Sequence, residues 1–205
     1  MQTIKIGEFE YSRTKIKNNI LRVYVDSLES EQNDWYREAN QWAVDVSNFL
    51  YSFKGMKVTV KQILGITSAL SPLKEWENNK QLTLDMILTN DCGHMKNNKL
   101  KADKILMAHS SISDDDILKI LSGPKTSRFY MNMMYPNNGT GVTIDRHAIA
   151  IAIGRNATEK EQAISNKSYD FVESCYKVVA GHLGLSPLHL QSITWQAWKR
   201  IKATR

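Results

Sequence analysis

Apolar residues return every three or four positions through almost the whole of this chain, a rhythm that leaves room for little besides helices. Residues 33–53 carry Trp35, Ala39, Trp42, Ala43, Val46, Phe49 and Leu50 along one face, and Gly55 follows as a C-cap. Thr59 stands as N-cap before the next helix, which turns Val60, Ile63, Leu64 and Thr67 inward and ends near Ser71-Pro72. Further helices are predicted over 74–90, 98–109, 143–153, 167–184 and 186–201. Ahead of them residues 3–11 alternate weakly (Ile4, Ile6, Phe9, Tyr11), the pattern of a short extended arm. The expected class is all-α. With 205 residues there is chain enough for one well-buried core, or for two small lobes.

Composition narrows the functional classes. A hydrophobic fraction of 42% with only four prolines describes a folded chain rather than a disordered tail. No run approaches the roughly 18–20 uncharged apolar residues of a membrane helix. The first residues lack the apolar segment of a secretory signal, so a cytoplasmic location with no membrane partner is expected. Cys92 and Cys175 are too few for a thiolate-held cluster and are expected as free thiols. Cys92-Gly93-His94 resembles half a metal site, but no second pair stands at ligand spacing. Neither a metal nor another cofactor is expected. The net charge of +6 favours a polyanionic partner.

Two segments carry candidate chemistry. Ser113 followed by Asp114, Asp115 and Asp116 is a capping hydroxyl with carboxylates at the positive end of a helix dipole, read here as a solvated first turn. That helix must stop at Gly123-Pro124, where Gly123 permits a tight turn with positive φ and Pro124 opens a second helix. The new helix start presents backbone N–H groups as a phosphate seat, with Lys125 and Arg128 beside it. Asp145 follows Lys125 by twenty residues, between an apolar run and a helix that Thr143 or Asp145 can cap.

In this order the segments resemble the helix-hairpin-helix DNA glycosylases. That superfamily's hairpin runs approximately Leu-Pro-Gly-Val-Gly-x-Lys-Thr-Ala, followed after about twenty residues by Val-Asp-x-His-Val. Here Leu121-Ser122-Gly123-Pro124-Lys125-Thr126-Ser127 precedes Ile144-Asp145-Arg146-His147-Ala148. Upstream, Ile66-Thr67-Ser68-Ala69-Leu70-Ser71 resembles the helix end that carries the residue inserted where the flipped base was. Lys101-Ala102-Asp103-Lys104-Ile105 resembles the helix before the hairpin. The likeness covers residues 58–153 and fades over 154–205, where Gln191 to Trp198 is similar to small bacteriophage relatives, some of them associated with modified-thymine DNA. Two departures stand out. The hairpin is about two residues short, with one glycine where the family has two, and Leu70 stands near the usual polar wedge position.

The resemblance implies one glycosylase-like domain over 1–205, a two-lobed helical bundle with a helix-hairpin-helix element. It implies double-stranded DNA as partner, with no obligate protein partner, and the cytoplasm of a bacterial host if the source is a phage. A base would be flipped into a pocket between the lobes and released by cleavage of its glycosidic bond. Asp145 would stabilise the oxocarbenium-like sugar, and Lys125 would act as Schiff-base nucleophile in an AP-lyase step or as a phosphate contact. Leu70, Ser71, Lys101, Gly123, Thr126, Ser127, Arg128, Arg146 and His147 would face DNA. Trp76, Tyr130, Tyr135 and Trp195 are candidates for stacking on the base. Two other readings stay open: a modified-thymine-processing enzyme on the same scaffold, or a non-catalytic DNA-binding module. The basic tail of Lys199, Arg200, Lys202 and Arg205 is read either as a solvated helix end or as a DNA contact.

Overall fold

The computed structural model describes residues 2–31 and 34–204, so Asn33 at the start of the predicted 33–53 helix and Arg205 of the basic tail lie outside the described residues. Two short strands open the chain, β1 (Thr3–Ile6) and β2 (Phe9–Ser12), paired antiparallel with Ile6 opposite Phe9. Gly7, at φ +61°, leads the two-residue turn between them, the place where glycine is favoured in hairpin turns. The extended arm is therefore a hairpin folded on itself, its Ile4, Ile6 and Tyr11 buried. The protein is mostly helical, as expected, with a small two-stranded hairpin in addition.

The helices are α1 (Arg13–Val25), α2 (Trp35–Lys54), α3 (Val60–Leu70), α4 (Trp76–Thr89), α5 (Lys96–Leu106) and α6 (Asp114–Leu121). They continue as α7 (Pro124–Met134), α8 (Arg146–Ile153), α9 (Glu159–Gln162), α10 (Asn166–Leu183) and α11 (Pro187–Ala203), with a 3-10 turn at Glu29–Glu31. The capping residues act as their chemistry dictates. Thr59 and Gln62 form a capping box at α3, Ser113 caps α6, Ser186 caps α11, and Gly55 follows α2 at φ +63°. Helix α8 begins at Arg146, three residues after its predicted start, because Asp145 is the cap.

The chain divides into two compact units. One comprises Met1–Tyr36 with Tyr135–Arg205, the other Arg37–Met134. In the first, α8 is apolar on every side and all of its residues from Ala148 to Ile153 are buried, so it forms the centre of the core. Ile16 and Ile20 of α1, Val172 and Tyr176 of α10, and Leu190 and Trp198 of α11 belong to the same cluster. Gly154 ends α8 at φ +79°. A Cβ there would stand 2.9 Å from the amide of Asn19, which itself donates to the Ala152 carbonyl.

In the second unit α3 is the central helix, buried from Gln62 to Leu70. The Gln62 amide donates to the carbonyls of Ile105, Leu106 and Ala108, closing the end of α5. Cys92 and Cys175, one in each unit, are free and buried. Among the described residues no helix is long and apolar enough to cross a membrane.

Candidate active site

Asp145 follows a segment, Val142–Thr143–Ile144, that is buried yet lies in neither helix nor strand. Buried backbone groups need partners, and side chains supply them. The Tyr169 hydroxyl donates to the Val142 carbonyl at 2.8 Å and accepts from the Ile144 N–H at 3.1 Å. Glu173, one turn further along α10, accepts from the Val142 N–H at 2.9 Å. The Tyr36 hydroxyl lies 3.0 Å from Thr143 Oγ1 and donates to Gln191 Oε1 at 2.7 Å.

The segment then turns sharply, with the Asp145 N–H donating to the Thr143 carbonyl at 3.1 Å. Asp145 Oδ1 accepts from the N–H groups of His147 (2.9 Å) and Ala148 (2.8 Å). Oδ2 accepts no hydrogen bond from a described residue, so half of the carboxylate is held and half is open to chemistry. Helix α8 thus orients an acid it also needs as a cap.

Around Asp145 the first unit gathers cations and rings. Arg146 Nε donates to His147 Nε2 at 3.4 Å. His147 is half-buried, and that burial holds its pKa below the ordinary histidine value. Asp145 pulls the other way, while Arg146, Lys202 and Lys199 add to the depression. Its ring stands edge-on to Trp195 at 6.3 Å. Lys199 Nζ sits 4.6 Å over the Trp195 ring, and Trp35 tilts against the same ring at 6.0 Å. Arg200 of the predicted tail is used elsewhere, on Glu31 (2.7 Å) and on the Asp26 carbonyl (2.6 Å).

The second unit carries the remaining candidates except Tyr135, with several corrections. Helices α6 and α7 are joined by Ser122-Gly123 alone, but it is Ser122 that takes the left-handed conformation, at φ 55°. The C-cap falls one residue before the expected glycine, since α6 already ends at Leu121. Lys101 does not offer its ammonium to solvent alone: it donates to the Leu121 carbonyl (2.6 Å) and to Ser122 Oγ (3.0 Å), closing α6. Thr126 donates to the Gly123 carbonyl at 3.3 Å, Lys125 and Ser127 are half-buried, and Arg128 is exposed.

Leu70 has no exposed surface, so it cannot enter a base stack, and the Ser71 hydroxyl beside it donates to the Ser68 carbonyl. Three residues past Leu70, Leu73 is 74% exposed at φ 64°. It follows Pro72 in a turn closed by the Lys74 N–H on the Ser71 carbonyl at 3.2 Å. Tyr130 is likewise fully buried, donating to Asp114 Oδ1 at 2.6 Å, and cannot stack on a base. Asp114 also pairs with Lys61 at 3.2 Å, so the acidic triplet is not wholly a solvated turn. Trp76 is half-buried, edge-on to Trp42 at 5.5 Å with Lys80 over its ring at 5.8 Å. Tyr135 is exposed at the start of the first unit's second segment. Asp145 and Lys125 therefore lie in different units.

The sequence profile of a family of unknown function, DUF7178, matches residues 2–202. The chain belongs to the DUF7178 family. No curated protein and no solved structure matches it.

Sequence reasoning alone missed the residues that hold Asp145 in this DUF7178 protein. Tyr169 and Glu173 have spacing i, i+4 on α10, but Tyr169 reads there only as part of an apolar face. Their hydrogen bonds to a segment 25 and more residues upstream exist only in the folded chain. A signal for Leu73 was available: Pro72 marks the second position of a turn, and a leucine after it is an unusual third residue.

Proposed function

We propose that this protein is a DNA glycosylase that cleaves the base–sugar bond of an extruded damaged or modified nucleotide. The observation that carries the reading is Asp145: one oxygen fastened by two backbone N–H groups, the other open, in a setting of cations and aromatic rings. As the bond from the sugar to the base breaks, the electron pair leaves with the base and positive charge develops on the sugar. A fixed carboxylate stabilises that charge without having to reorganise, and can take the proton of an attacking water.

On this reading α6, Ser122-Gly123 and α7 serve as a helix-hairpin-helix element. The α7 start, Thr126, Ser127 and Arg128 face the phosphate backbone, which positions the duplex without reading its sequence. Lys125 either forms a Schiff base with the opened sugar or contacts phosphate. Leu73 replaces Leu70 as the apolar residue that fills the gap left by the extruded base. An exposed leucine on left-handed backbone is a costly arrangement of the sort that persists where it has a use.

The test is product analysis by mass spectrometry on duplexes carrying normal, damaged and phage-type modified bases. Release of a free base by the wild type, reduced about 10²–10³-fold in Asp145→Asn with duplex binding retained, is the expected result. Turnover that leaves the base–sugar bond intact would instead indicate base processing on the same scaffold, and tight binding with no turnover a DNA-binding module. Borohydride trapping that disappears in Lys125→Ala assigns the lyase step.

A further inference from the structure

The last turn of α2, Tyr51 to Lys54, is exposed at all four residues, and Leu50 just before it is the last residue of that helix to be buried. Aromatic side chains gain nothing from folding in such a place, yet Tyr51 is 69% exposed and Phe53 76%. Phe49, one turn back and itself exposed, stacks its ring on that of Phe53 at 5.2 Å and 29°. Three rings within five residues form a patch, unlike the singly scattered apolar residues of an ordinary surface. Cations stand with them. Lys54 on this turn and Lys57 after Gly55 are exposed, and no carboxylate among the described residues pairs with either. Lys61, further along, is held by Asp114, and the carboxylate of Asp45 accepts from the Gln41 amide. A lysine in a last turn also complements the helix dipole, but Lys57 lies beyond the helix.

We propose that this turn is a contact for an unpaired nucleic acid strand, with bases stacked on Phe53 and Tyr51 and neighbouring phosphates on Lys54 and Lys57. Every base has a flat apolar face, so stacking on exposed rings needs no enclosed pocket. In a duplex those faces are covered by their neighbours, which selects a single strand. A protein surface laid over the rings would strip water from two ammonium groups for which the patch holds no counter-charge. A phosphate backbone supplies that counter-charge at each nucleotide. Phe49 backs the Phe53 ring, and Tyr51, two residues from each, faces another side of the helix end. The contact lies within the second unit and uses none of the residues assigned to base release.

The experiment uses the full-length protein and fluorescence anisotropy of labelled probes of about 12 nucleotides: an oligothymidylate strand, its duplex with oligoadenylate, and an abasic strand carrying the same phosphates. The thymidine strand should bind at least about tenfold more tightly than the abasic strand. Phe53→Leu and Tyr51→Leu, each folded by circular dichroism, keep an apolar side chain and lose the ring. Each should weaken strand binding about fivefold or more, while duplex binding changes by less than about twofold. Lys54→Gln and Lys57→Gln should each weaken strand binding about threefold and flatten its dependence on salt concentration. Equal affinity for the abasic strand, or strand binding unchanged in either leucine variant, overturns the proposal. Self-association of the wild type that vanishes in Phe53→Glu, with no strand bound, also overturns it and gives the turn to a second copy of the chain. Base release from DNA is scored independently. Strand binding without base release leaves this contact standing and removes the glycosylase reading, and base release with no strand binding does the reverse.

Discussion

The hydroxyl of Tyr169 stands to Val142 as a neighbouring strand would, giving a proton to its carbonyl at 2.8 Å while taking one from the next-but-one amide, Ile144, at 3.1 Å. With Glu173 on the Val142 amide, side chains of α10 satisfy three backbone groups of a buried segment. Tyr36, on Thr143, shares in holding the segment that leads to Asp145.

Tyr169→Phe keeps the packing and strips both bonds. Two buried backbone groups lose their partner, which should lower stability by about 2–4 kcal/mol in urea unfolding. Faster amide exchange is expected first at Ile144 and then at His147 and Ala148, whose N–H groups depend on where Asp145 points. Stability within 0.5 kcal/mol of wild type, a bound set by the usual effect of neutral surface substitutions, would show that the clamp is not needed.

Asp145 has a structural duty separable from its chemistry. Asparagine caps helices about as well as aspartate, so Asp145→Asn should keep stability within about 0.5 kcal/mol, while Asp145→Ala should lose about 1 kcal/mol. The comparison is made by thermal or urea melts of the two variants. Equal losses would mean that Oδ1 does not act as a cap.

Leu73 pays in backbone strain for its exposure. Glycine removes the left-handed penalty of about 1–2 kcal/mol and returns part of it as chain entropy, so Leu73→Gly should raise stability by up to about 1 kcal/mol. The same change should weaken any activity that depends on filling a base stack. A variant both less stable and equally active would contradict the role given to this turn.

Glu161 contributes to the acid side of the stability profile. Arg155 donates to its carboxylate at 2.8 and 2.5 Å, and together with the Thr158 backbone holds its pKa down at about 2. A carboxyl whose folded pKa lies below its ordinary value of 4.5 contributes fully above that value and loses its contribution as pH falls through the interval to about 2. The melting temperature of the wild type should therefore decline more steeply than that of Glu161→Gln between those limits. Parallel curves would show that the ion pair carries no such linkage.

Local chemistry was legible before any folding. Thr59, Ser113 and Ser186 start helices where they precede an apolar-periodic run, and Pro124 opens α7. These outcomes follow from hydrogen bonds and side-chain spacing within one turn, which a linear string contains. The turn at Ser122 escaped because the end of α6 was settled by where Leu121 packs and by the Lys101 ammonium arriving from α5, twenty residues earlier. Leu70 and Tyr130 looked available for DNA because burial is a property of neighbours, and their neighbours are distant in the chain. Sequence by itself determined that a helix would start with Thr143 or Asp145 as its cap, and the folded chain gives that place to Asp145. Only the tertiary structure decided which of its oxygens stays open and which cations and rings surround it, because those depend on α10 and α11 folding back onto a segment that cannot satisfy its own backbone.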